Sequence, residues 1–188
     1  MNAPVSIAAN AGPIREVGSP WRWLAQPMTS GFIQGEHRPA WVLPEFAAAM
    51  IGRPVRWVVE AGELVHPSWR EDPQNPAHRV GEIEASWVVG DQWRAAVRAI
   101  IRLDADAARF QAALLRMHAD GHLRVGLGLS IFARVERDTD ASGASYVVAV
   151  KEFIALDFGT TPGNRNARLI RPLRPGEDPN PRTKESQP

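Results

Sequence analysis

The stretch His122-Leu-Arg-Val-Gly-Leu-Gly-Leu-Ser-Ile-Phe-Ala-Arg-Val135 decides how the chain is read. Val125, Leu127, Leu129, Ile131 and Ala133 alternate onto one face, the pattern of a half-buried β-strand. The other face carries Gly126, Gly128 and then Ser130. Glycines inside a strand weaken it and often mark a close approach of another backbone. Here they clear a shallow lane that ends at a hydroxyl. Two readings stand: a nucleophilic serine beside a groove for an extended peptide, or a glycine-softened strand with an ordinary serine.

Just upstream, Asp104 to Asp120 predicts a helix, capped by Asp104 or Asp106 and ended by Gly121. Phe110, Ala113, Leu114 and Met117 form its buried stripe, while Arg109, Gln111 and Arg116 face outward. Before it, Val80 to Val89 and Trp93 to Leu103 predict a hairpin. A three-residue loop, Gly90-Asp91-Gln92, aligns the apolar faces and sets Glu84 across from Arg98. Downstream, Ser145 to Phe158 partners the central strand through the turn-rich Asp138–Gly143 segment.

Nearer the start, Trp21 to Gln34 reads as one or two short strands. Pro44 to Ile51 predicts a short helix with Pro in its first turn and Gly52 past its end. Pro54 to Glu60 predicts a strand, and the proline-broken stretch from Glu63 to Ala77 a loop. The sum is a mostly β, α+β chain. Its expected architecture is an antiparallel, closed or nearly closed barrel of about six or seven strands with helices packed outside. Residues 1–20 are expected as a flexible arm, 21–172 as one domain and 173–188 as a flexible tail.

A chain of 188 residues with 44% hydrophobic content supports a sizeable core. Its formal charge of +1 gives no push toward nucleic acid or membrane, and no apolar run approaches a membrane span. The first residues lack the basic start and apolar core of a signal peptide. Without cysteine there are no disulfides, thiol chemistry or Cys-type zinc sites, which fits a reducing cytoplasm. Seven Trp against one Tyr are assigned to packing. Neither a metal-ligand spacing nor a phosphate-cradling loop is present, so no metal and no cofactor is expected.

A nucleophilic serine needs a base. His118 and His122 flank the helix end at Gly121, where a cation suits the helix dipole, and His118 reads as structural. His122 lies too far along the strand to touch Ser130, and His37 sits in an ill-defined segment. His78 remains open at the mouth of the hairpin. His66, in Val-His-Pro at a strand end, is the strongest candidate, with a solvated loop histidine as its plainer reading. Asp157 stands alone in the apolar Phe153-Ile-Ala-Leu-Asp-Phe158 and needs a partner there. It suits either the orientation of a histidine or a structural bond at the strand end.

The order of these pieces resembles the prohead (capsid maturation) proteases of tailed phages, distant relatives of the herpesvirus assemblins. The matching motifs are His66-Pro67, Gly128-Leu129-Ser130 and Asp157-Phe158-Gly159 leading to Pro162-Gly163-Asn164, and the likeness spans about residues 30 to 170. It implies a herpesvirus-protease-like barrel and a serine endopeptidase that cleaves scaffold and major capsid proteins, and itself, inside an assembling procapsid in the host cytoplasm. It implies Ser130 as nucleophile, His66 as general base and Asp157 as third member. It implies no nucleic-acid or membrane partner and allows a homo-oligomer. A Glu found in another branch of the family would fall at Ala155, and Gly159 stands where valine is usual.

A simple hairpin would place Ser130 across from about Val150, leaving Asp157 roughly 20 Å along the sheet. The strands must then splay or bulge. Otherwise Asp157 is structural, and Glu152 or a Ser–His dyad takes its place. Backbone amides or Arg165 would supply the oxyanion donor. The alternatives to an enzyme are a non-catalytic capsid-assembly or scaffold-like protein keeping the fold, and a small β-barrel binding module.

Overall fold

In the computed structural model the central strand, β9, spans Gly128–Thr139. The structure describes residues 21–33, 35–57, 59–60, 63–64, 75, 77–91, 94–123, 127–159, 164 and 166–181. Among these, the strands are β1 (Arg22–Thr29), β2 (Gly31–Ile33), β3 (Glu36–Arg38), β4 (Pro54–Arg56), β5 (Val59–Glu60), β6 (Glu63–Leu64), β7 (Arg79–Val89), β8 (Ala96–Leu103), β9, β10 (Ser145–Gly159) and β11 (Arg168–Pro172). Helices α1 (Leu43–Met50) and α2 (Ala108–Ala119) follow β3 and β8, each after a short 3₁₀ turn.

The main sheet runs β11-β1-β8-β7-β4-β10, with β3 and β2 joined further along β10 and β9 on β10's other edge. It curls into an open half-barrel of mixed sense, which corrects the closed antiparallel barrel expected from the strand pattern. The reason lies in β10. β3 meets its start at Tyr146 and β4 meets its end at Leu156 and Asp157, both in parallel. Parallel neighbours need a crossover, and α1 lies on the connection between β3 and β4. Midway between them, the Val150 N–H donates to Glu45 Oε2 of α1 at 3.0 Å, so the uncovered stretch of β10 still finds an acceptor. The two sheet edges approach at one point, where Leu129 N–H donates to Ala167 O at 3.1 Å.

Several elements differ from the expected ones in ways that packing explains. The Pro54–Glu60 strand divides at Trp57, whose N–H turns to the His78 carbonyl at 2.8 Å. β5, at the end of that expected strand, and β6, at the start of the segment read as loop, form a separate two-stranded ladder. In the β7–β8 hairpin, Trp87, not Glu84, lies opposite Arg98, and a bulge between Ile83 and Ala85 leaves Glu84 out of register. Glu84 instead accepts from Arg22 of β1 through both carboxylate oxygens, at 3.0 and 2.7 Å.

The α2 helix buries Phe110, Ala113 and Leu114 as expected. Gln111 is also buried, against the outward position assigned to it, because its Oε1 accepts from the Trp23 indole at 2.8 Å. The helix ends as its sequence predicts. Gly121 adopts φ +72°, and the His122 and Gly121 N–H groups close back onto Met117 and His118 carbonyls.

The core lies on one face of the curled sheet. Trp23, Val55, Ile83, Val97, Ile101, Leu129, Phe153, Leu156 and Phe158 meet the apolar faces of α1 and α2 there. Phe110 of α2 packs at a tilt against Trp57 (4.4 Å between centroids) and edge-on against Phe158 (4.9 Å). That aromatic wedge backs the ends of β4 and β10.

Candidate functional site

Ser130 lies directly across from Asp157 on the neighbouring strand. The simple-hairpin register is therefore not the one adopted. β9 and β10 pair from Thr139–Ser145 onward, and three register shifts fall between Val147 and Ala149, Val150 and Glu152, and Phe153 and Ala155. Each leaves one residue of β10 without a partner in the ladder, and together they slide Asp157 back to Ser130. Residues opposite each other in an antiparallel pair lie about 4.5–5.5 Å apart at Cα and project to one face.

That face is the reverse of the main core. Leu129, Ile131, Leu156 and Phe158 pack into the core, so alternation sends Ser130, Phe132 and Asp157 the other way. Phe132, Ile154 and Ala155 form a second, small apolar cluster beside them. Asp157 is 1% exposed there and Ser130 is half-buried.

A charge this deep requires a counter-ion. Arg56, also 1% exposed, supplies it. The β4–β10 register sets Arg56 opposite Asp157. Its guanidinium forks onto the carboxylate, Nε to Oδ1 at 2.7 Å and Nη2 to Oδ2 at 2.9 Å. The Phe132 ring lies 5.3 Å beneath the guanidinium carbon. Ser130, Asp157 and Arg56 thus form a row across three adjacent strands.

Arg56 was legible but missed. Pro54-Val-Arg-Trp-Val58 carries one cation in an apolar strand, just as Phe153 to Phe158 carries one anion. Two lone, opposite charges in buried strands are a signal for each other.

His66 and Arg165 lie outside the described residues, as do Gly126 and residues 160–163. Gly128, at the end of the expected lane, is buried and paired with Gly159. Glu152 sits opposite Arg134 and bonds it at 3.1 Å on the surface, four residues along β9 from Ser130. Of the remaining histidines, His37 stacks on Phe32 (5.0 Å between centroids) and His118 packs edge-on against Trp23 (6.1 Å). His122 is exposed at the end of α2. The His78 carbonyl holds the Trp57 N–H where β4 ends.

Comparison of the chain with protein-family models, curated proteins and solved structures finds no match. No helix among the described residues is long and apolar enough to cross a membrane.

Proposed function

We propose that the chain is a serine endopeptidase of the prohead-protease type, with Ser130 as nucleophile, His66 as general base and Asp157 as the carboxylate that orients the base. The observation that carries this reading is the register that sets Ser130 across from a buried, ion-paired aspartate. In the proposed reaction Ser130 Oγ attacks the scissile carbonyl carbon while His66 accepts the hydroxyl proton. The C–N bond breaks as His66 returns that proton to the leaving amine, and water releases the acyl group by the same path in reverse. A carboxylate held in one orientation is what such a histidine requires to keep its tautomer. The substrates are scaffold and major capsid proteins, bound as extended peptide beside β9.

The non-catalytic, scaffold-like reading draws on the same ion pair, since the Arg56 fork gives Asp157 a structural role without catalysis. Co-expression with a scaffold or major capsid protein, read by intact mass, separates the two. The enzyme yields truncated products with the wild-type chain and full-length ones with Ser130→Ala. Equal masses from both would leave the scaffold reading in place.

A further inference from the structure

We infer that Arg56 is a positioning residue of this site, acting on Ser130 chemistry through Asp157 alone. The inference rests on the serine-nucleophile reading and adds a residue that none of the three sequence motifs contains. Four observations lead to it. The pair is buried at both ends. The contact is a two-point fork, not a single bond, so it fixes the plane of the carboxylate as well as its place. The guanidinium is itself fixed over the Phe132 ring, which leaves it little freedom to follow a moving carboxylate. Finally, Arg56 and Ser130 occupy opposite neighbours of Asp157 in the sheet, so the aspartate is gripped from β4 while it faces β9.

The geometry has a chemical consequence. A carboxylate in an apolar cluster without its cation would be neutralised by proton uptake or would turn toward water. Either change removes the acceptor that orients an imidazole. A lysine at position 56 keeps a charge but not the fork, because an ammonium is a point donor on a flexible stem.

The test is the rate at which a fluorophosphonate labels Ser130 in the full chain, where Oγ displaces fluoride from phosphorus. Arg56→Lys should slow labelling about tenfold, and Arg56→Gln about a hundredfold, the scale of a misplaced catalytic group. Circular dichroism shows whether each variant is folded; if Arg56→Gln is not, the Arg56→Lys rate decides. The discriminating arm is a cycle with Asp157→Asn. If Arg56 acts only through the aspartate, Arg56→Lys has no further effect on labelling in the Asp157→Asn chain. A folded Arg56→Lys chain that labels within about threefold of wild type, or losses that multiply in the double variant, would overturn the inference. A wild-type chain that takes no label, or a Ser130→Ala chain that labels as well, would instead remove the nucleophile reading, and the role of Arg56 with it.

Discussion

Asp157 and Arg56 put two full charges among Phe132, Ile154 and Ala155, a place where each alone would be very costly. Together they make a fork that ties β4 to β10. Arg56→Met should therefore lower unfolding stability by about 3–5 kcal/mol in a urea titration, because it strands a buried carboxylate. Arg56→Met combined with Asp157→Leu should recover most of that loss, since a well-packed apolar pair often replaces a buried ion pair at little cost. An additive loss would mean that the two side chains are not energetically coupled and that the fork does not set the cost of either change. Asp157 declared itself in the sequence as a lone acid in an apolar strand. Its partner lies 101 residues away and meets it through a parallel pairing, which no local pattern encodes.

The elements divide along a similar line. The β9 and β10 strands, both helices and the Gly121 stop follow from alternation, helical spacing and turn chemistry, all local properties. Register does not. Three bulges in β10 and two in β7 decide which residues face each other, and each depends on pairing with other strands. Glu84 leaves the ladder to meet Arg22, and Gln111 goes inward to meet the Trp23 indole. Two glycines test the difference between local and non-local demand. Gly121→Ala meets no atom within 4 Å, so its cost is the positive φ of +72°, about 1–2 kcal/mol. Gly81→Ala would bring a Cβ to 2.3 Å from the Arg102 carbonyl oxygen on β8. It must displace a backbone ladder, and its melting temperature should fall further than that of Gly121→Ala.

At the scale of the molecule, the open sheet leaves β11 as an edge strand, and the chain beyond it folds back on β1. Leu173 N–H donates to Arg22 O at 2.8 Å, Arg22 Nη1 to Glu177 O at 2.8 Å, and Arg171 Nη1 to Glu177 Oε2 at 3.1 Å. The Arg171 guanidinium, with the Arg174 N–H, holds the Glu177 carboxyl at about 2, below its usual 4.5. A carboxyl depressed on folding contributes stability that is present above pH 4.5 and is lost as pH falls toward 2. The denaturation midpoint of the wild-type chain should drop across that window, and Glu177→Gln should flatten the drop. An unchanged slope would show that the clasp does not bear on global unfolding.

All of this scaffolding converges on one serine beside one buried aspartate. The direct test is peptide mapping of the folded chain after treatment with a fluorophosphonate. A single adduct is expected, on Ser130, absent from Ser130→Ala and from wild type unfolded in urea before treatment. No adduct on Ser130 in the folded wild-type chain, or equal labelling of the folded and unfolded chains, would contradict it.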